Sequence, residues 1–497
     1  MRVKIWLILM LQAALVVLLA TAVGARLVPL GVHGEWEWLR VQFSPQPAGL
    51  LLAALGVAAY AGFVALGLRA IALKRSRRST GAWLTGLLLA AVGVQVIVPT
   101  GAASGYDLTK WAAVNYLPGS AGYFQVARKQ AVRDPWRFLA EYPRWIRAQD
   151  SLHIGTHPPG LIAVQCLLMR VMERSPNLAV FLVDHMPRAV EAGFRVFGER
   201  DPQPLSRAER ATLYATALLT LLACAGTVVP LYLLARVALP PPAAWAAAAL
   251  WPLAPAANLF QPVADTAYPL LSTSALALAA WAARFQQGVD RPTAAATSLA
   301  IASGLVMAVG MSFTLAFLPV GALVALVLLL NPSITWRMRA VLLLATGAGF
   351  LALLAAGWAA TGAEPIEIAR WNLRHHARFY DEYPRTYRLW LFLNPVELVI
   401  ALGLPSAVWC AAGLFDRRTV PLSVWATLLV LALVNLTGRN MGEVARLWML
   451  FMPSLLVAAG HGCSRLGSRP AALAATAALL GLQTLALQSM IQVVYPV

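Results

Sequence analysis

Charge is what this sequence has least of. Asp, Glu, Lys and Arg make up 12% of its 497 residues against 60% hydrophobic side chains, where soluble domains carry roughly 25% charged and 45–50% apolar residues. A water-soluble globular protein is excluded. Acids are the scarcer half: 39 Lys+Arg against 21 Asp+Glu leave a net charge of +18. The four cysteines, Cys166, Cys224, Cys410 and Cys463, lie far apart with no C-x-x-C or Cys/His spacing, which excludes a disulfide framework and a structural zinc site. No G-x-x-x-x-G-K-[ST] phosphate loop occurs, so an ATP-driven pump is not expected.

Long apolar runs are what the chain has instead. Crossing a hydrocarbon core of roughly 30 Å takes about 20 residues of helix. Runs of that order fall at about 5–23, 49–73, 81–99, 209–235, 241–258, 264–284, 293–310, 313–331, 337–359, 388–413, 419–436, 446–461 and 470–492. The expected fold is therefore an all-α integral membrane protein of about thirteen transmembrane helices with a partly helical external loop region. The first run, Ile5 to Val23, follows Arg2 and Lys4, and its length predicts an uncleaved span rather than a signal peptide. The basic clusters Arg2/Lys4, Lys74 to Arg78, Arg284/Arg291, Arg337/Arg339, Arg417/Arg418 and Arg465/Arg469 all thread onto one face. Under the positive-inside rule that face is cytoplasmic, which accounts for the positive charge without a nucleic-acid partner. Three regions follow: 1–99, the N-terminal spans with the first external loop; 100–208, a long external region; and 209–497, a C-terminal bundle with external loops 360–387 and 437–445.

The run Gly160 to Met172 is too short to span, carries Arg170 and follows a Pro-Pro pair. It reads as a re-entrant or interfacial helix, because a crossing here would move every later basic cluster outside. The outer face then holds four polar pieces, 24–48, 100–208, 360–387 and 437–445, and the chemistry is expected there. Trp111, Tyr123, Trp136, Tyr142 and Trp145 offer interfacial anchors for the long piece.

The stretch Asp150-Ser-Leu-His153-Ile-Gly-Thr-His157-Pro158-Pro159-Gly160 sets an acid and two histidines directly before that helix. The prolines stop the helix from extending backwards and preset the chain direction, which holds His157 at the mouth of the membrane domain. His153 and His157 have the i,i+4 spacing of a zinc pair, but Gly155 and the prolines break the helix such a pair needs. Placed at the end of a large external loop and before a partial helix, His157-Pro158-Pro159-Gly160 resembles the His-Pro-Pro motif of the GT-C fold glycosyltransferases, which include the protein O-mannosyltransferases and the lipid A aminoarabinose transferases. The segment from Trp251-Pro252 through Pro255 to Gln261-Pro262-Val-Ala-Asp265-Thr-Ala-Tyr268-Pro269 resembles that family's external turn, where an Asp opens the next span. The resemblance holds over about 100–290 in the order of features, and beyond that in hydropathy only. It implies a transferase that takes a sugar from a polyprenyl-phosphate-linked donor, with an acid of the first external loop as base. The family's acids commonly follow the first span directly; here that loop offers Glu35-Trp36-Glu37, and the longer loop offers Asp107.

Four carboxylates are open as base. Asp107, close behind the third span and so near the headgroup plane, ranks ahead of Glu35, Glu37 and Asp150, with a solvated or helix-capping role as the alternative. The leaving phosphate needs cations. Arg374 and Arg378 share one helical face, with His375 or His376 beside them, and either grip phosphate or lie on anionic headgroups. Arg439, Glu443 and Arg446 form a second group, in which Arg446 at the start of an apolar span either snorkels, pairs with Glu443 or contacts the donor. Asp265 orients donor or acceptor, or caps a helix. His153 and His157 complete the expected donor-binding set. Glu397, inside a span, is either functional or paired to an arginine. No metal ligands are assigned, and a divalent cation is the one cofactor the acids leave open. The expected partners are the polyprenyl-phosphate-sugar donor, membrane lipids, and a glycan, lipid or protein acceptor. The expected place is a bacterial inner membrane with the site facing outward. The rival reading is a transporter or flippase of a lipid-linked saccharide, with Glu397 and Arg446 along its path and broken helices near Gly310 or Pro319.

Overall fold

A computed structural model describes all residues except Met1, Pro29, 74–75, 199–202, 416–418, 466, 468 and 494–497. The basic pairs Lys74-Arg75 and Arg417/Arg418 therefore lie outside the described residues. The chain is helical throughout, with strands only two residues long, as expected where every backbone group must be satisfied within its own segment. It is an all-α, multi-pass membrane protein.

Thirteen spans are expected from the apolar runs; among the described residues eight helices are long and apolar enough to cross, or nine if one bent pair counts as a span. The difference has local causes. Prolines at 252 and 255 cut the run 241–258 into Pro241–Leu250 and Pro255–Leu259. Phe317–Leu329 and Leu422–Leu436 are apolar but reach only 13 and 15 residues. The run 388–413 is a pair, Tyr387–Leu402 and Leu404–Leu414, bent by 107°. Gly403 makes the bend with φ +95, a conformation that costs other residues dearly.

The first helix, Arg2–Gly24, is integrated into the bundle through a buried amide. Gln12 donates to the Pro405 carbonyl at 3.2 Å and accepts from Thr476 at 3.2 Å. A capping box, Ser206 with Glu209, starts Arg207–Gly226, which continues to Arg236 as one span of 30 residues.

At one end of the bundle sits a helical cap made by residues 100–198 and the helix Pro365–Glu382. It has its own core, in which Trp111, Phe124, Tyr142, Ile146 and Ile162 pack on Leu213 and Leu221 of the Arg207–Gly226 span and on Ile368. Trp111, Tyr123 and Tyr142, expected as interfacial anchors, are core residues instead, because six short helices here need a shared interior. Trp136 is the exposed one, at 61%. The helix Gly160–Arg174 packs in this cap and against Arg207–Gly226. The first loop lies alongside: Gly31–Val32 pairs with Trp36–Glu37, and Leu39–Arg40 pairs antiparallel with Ile491–Gln492 from the far end of the chain.

Candidate functional site

The His-Pro-Pro loop is held from three sides. Its Gly155 lies against the Asp150 carbonyl, where an added Cβ would stand 1.8 Å from that oxygen, and at Gly160 it would stand 2.3 Å from the Ser312 carbonyl oxygen; neither position has room for a side chain. The His157 carbonyl accepts from the Tyr142 hydroxyl at 2.8 Å and from Asn372 Nδ2 at 3.1 Å, and Asn372 also donates to the Gly155 carbonyl at 2.7 Å. His157 Nδ1 meets the His153 carbonyl at 2.8 Å. A carbonyl only accepts, so Nδ1 carries the proton and Nε2 keeps a free lone pair. The Tyr123 ring meets the His157 ring edge-on at 5.8 Å. His153 Nε2 lies 3.0 Å from the Gly119 carbonyl.

Burial, and then the charge of Arg446 and the neighbouring His157, push His153 down to about 4. Burial lowers His157 as well, with Asp265 acting against it. Both imidazoles are therefore neutral at pH 7, and the two groups whose charges they feel identify the rest of the site.

Those groups belong to a chain of alternating charge. Asp265 Oδ2 lies 3.7 Å from Arg446 Nη1; Arg446 Nη2 donates to Glu443 Oε2 at 2.8 Å; and Glu443 Oε1 accepts from Arg385 Nη2 at 3.2 Å. All four side chains are less than one quarter exposed, Arg385 least at 4%. Arg385 sits over the rings of Phe379 and Trp390 and donates to the Met441 carbonyl at 3.1 Å. Burial opposes the charge of Glu443, but Arg446 and Arg385 outweigh it and hold the carboxyl below its usual range. Glu443 itself has φ +59, strained for a residue with a Cβ. The strained turn is tied down: Asn394 donates to the Asn440 carbonyl at 2.7 Å and accepts from the Gly442 amide at 3.0 Å. The Tyr123 and Tyr268 hydroxyls complete the wall and feel both Asp265 and Arg446.

Of the residues singled out from sequence, the structure thus brings together His153, His157, Asp265, Glu443 and Arg446. His376 stands at the edge, with its charge bearing on His157 and its ring 6.0 Å from that of Tyr380. Others do different work. Asp107 Oδ1 accepts from the Thr109 amide at 2.9 Å and from the Thr109 hydroxyl, closing an Asx turn before the helix Lys110–Tyr116. Glu35 accepts from the amide and hydroxyl of Thr386 and from Trp390 Nε1 at 2.6 Å, so it caps the helix Tyr387–Leu402. Burial works against its charge, but those donors win and lower it. Glu37 meets the exposed His33 at 3.4 Å. Asp150 is exposed and accepts from the Leu152 amide at 3.1 Å. Glu397 accepts from the Ala445 amide at 3.0 Å and from Trp38, tying two loops together.

The helix Pro365–Glu382 divides its residues by face. Asn372 and His376 point to the His-Pro-Pro loop and the charge chain, while Arg374 and Arg378 lie about 200° further round. Arg374 stacks on Trp371 at 4.7 Å, and Arg378 Nε pairs with Glu382 at 2.6 Å. With Arg147, Glu367 and Arg370, Arg374 lines a separate open groove of about 350 Å³. His375 is buried and meets the Ile146 carbonyl at 2.9 Å, a packing role. Arg439 is exposed. Arg385, Tyr123 and Tyr268 escaped sequence reasoning; each is one among many similar residues until the cap folds.

Among the described residues no three His, Cys, Asp or Glu side chains are grouped to hold a metal ion. The two carboxylates at the centre both share Arg446.

The chain is similar to archaeal oligosaccharyltransferases. That of Archaeoglobus fulgidus, AglB, solved with an inhibitory peptide and a dolichol-phosphate, matches at a TM-score of 0.41 and 12% identity over 77% of this chain and 50% of its own. The oligosaccharyltransferase of the same organism tethered to an acceptor peptide matches at 0.38 and 14%, over 81% and 55%. A complex with Zn and sulfate matches at 0.39 and 13%, over 80% and 53%. This chain thus spans about half the length of the solved structures it matches. No family model matches it, and no curated protein does. Likeness at this level assigns no activity.

Proposed function

We propose that the chain is a membrane glycosyltransferase of GT-C type, which moves a sugar from a polyprenyl-phosphate-linked donor to a glycan, lipid or protein acceptor on the extracytoplasmic side of a bacterial inner membrane. The observation that carries this reading is one half-buried centre that holds a carboxylate, a guanidinium and two neutral imidazoles: Asp265, Arg446, His153 and His157.

The parts suit the reaction. The acceptor hydroxyl oxygen attacks the anomeric carbon, the bond from that carbon to the phosphate oxygen breaks, and the bonding pair leaves with polyprenyl phosphate. Asp265, held by a single long ion pair at 3.7 Å, is the base that takes the hydroxyl proton. Asp107 Oδ1 closes a turn, and both oxygens of Glu35 hold a helix start. Arg446, braced by Glu443 and through it by Arg385, meets the charge that grows on the leaving phosphate. Neutral His157, with Nδ1–H committed to the His153 carbonyl, offers Nε2 as an acceptor to a sugar hydroxyl.

The test is release of free polyprenyl phosphate by the purified protein from a panel of synthetic lipid-linked sugars with crude membrane acceptors. Release that disappears in Asp265→Asn supports the reading. No release from any donor, with movement of a lipid-linked saccharide across proteoliposomes, would replace it by the transport reading, for which the 107° break at Gly403 speaks.

A further inference from the structure

We propose that Lys110 is a positioning residue for this reaction: it reaches from the cap to hold the turn that leads to Asp265. The inference rests on the proposed transferase reading. Lys110 is 2% exposed at the start of the helix Lys110–Tyr116. A buried amine is costly unless its donors are used, and Nζ donates to two main-chain carbonyls, of Asn258 at 3.3 Å and of Leu259 at 3.2 Å. Those residues end the helix Pro255–Leu259. From there the chain runs through Gln261-Pro262 directly to Asp265.

The turn is also held by the spans, through Gln95 to the Pro252 carbonyl at 3.4 Å and Thr484 to the Leu253 carbonyl at 2.7 Å, but neither of these donors belongs to the cap. Asn258 Nδ2 donates to the Pro252 and Ala254 carbonyls at 2.9 and 3.1 Å, and its Oδ1 is buried without a partner. Lys110 supplies the hydrogen bonds that join this turn to the cap, where Trp111, its chain neighbour, is anchored in the core. The cap also carries His153 and His157. Lys110 therefore sets the distance between the two halves of the site, Asp265 on one side and the imidazoles on the other. Burial pushes its ammonium down to about 7, with Asp107 acting against this; a neutral amine still has two hydrogens for two carbonyls.

The experiment uses the full-length protein in detergent. Lys110→Met keeps the length and removes the donors. Its expected result is a kcat for release from a synthetic polyprenyl-phosphate sugar lowered about 10–100-fold, the scale of a misplacement near 1 Å. Donor KM stays unchanged, and amide exchange becomes faster in the segment 255–268 and not across the cap. Wild-type kcat with wild-type exchange in a folded variant overturns the proposal, and so does exchange that rises over the whole cap, which marks a purely structural role. Where Lys110→Met does not fold, Lys110→Gln is read by the same exchange measurement, with an intermediate rise expected and no rise overturning the proposal. Wild-type protein that releases no product from any donor defeats the transferase reading, while the exchange measurement still decides on Lys110.

Discussion

Two charged segments of this chain look alike on paper and fold to different ends. The helix Pro365–Glu382 carries Arg370, Arg374 and Arg378 along one face; the loop and helix start at 438–446 carry Arg439, Glu443 and Arg446. The helix settles its arginines locally: Arg378 pairs with Glu382 four residues on and is 64% exposed, and Arg374 lies on its neighbour Trp371. The loop's own pair, Glu443 with Arg446, is extended to Arg385 on one side and Asp265 on the other, with all four side chains largely buried. Exposed, local pairs contribute little and tolerate change. Buried pairs cannot lose a member without stranding the other charge. What separates the two sets of arginines is burial: Arg385 and Arg446 are 4% and 18% exposed, Arg378 64%.

The comparison breaks most visibly at Asp265. Asp265→Asn keeps shape and removes the base, and release of polyprenyl phosphate is expected to fall about 10²–10⁴-fold, measured by product chromatography under saturating donor. Arg446→Gln comes next, with about a 10²–10³-fold loss of release and a lower melting temperature, because Glu443 and Asp265 both lose their nearest cation. If Arg446→Gln melts like wild type, the charge chain is not the structural unit described here.

Acid supplies the third contrast. His153 titrates at about 4 when folded, against about 6.5 in an unfolded chain. As pH falls below about 6.5 the unfolded chain binds a proton that the folded chain refuses until about 4, so stability present at pH 7 is lost progressively across that interval. Melting curves between pH 7 and 4 should show this slope, and His153→Gln should flatten it. The smallest effect sharpens the comparison from the other side: Arg374→Ala and Arg378→Ala together should leave release within about twofold and stability within about 0.5 kcal/mol per site.

The membrane-spanning architecture was legible because a long apolar run has few alternatives, and the His-Pro-Pro loop because prolines act on their own neighbours. His157, Asp265 and Arg446 were each visible in the sequence as candidates. Their convergence was not, since it depends on Asn372 pinning the loop and Arg385 bracing Glu443. Asp107 illustrates the limit in reverse. Its place behind a span suggested a base; the structure adds that one of its oxygens closes a turn on its own second neighbour, Thr109. Span counting failed where prolines and a glycine divide apolar runs, as at Gly403: hydropathy averages over a break that one backbone angle makes.

The pairing of Leu39–Arg40 with Ile491–Gln492 bears on the order in which the protein is made. The loop that carries Glu35 is made before the strand that pairs beside it, so the pairing forms only once the helices between them are in place. Glu35 in turn caps the helix from which Glu397 reaches the Ala445 amide, so this brace beside the charged centre depends on the helix Pro470–Met490 that leads into the paired strand. A chain cut before residue 491 would be membrane-embedded and helical but would lack the strand that pairs with the first loop.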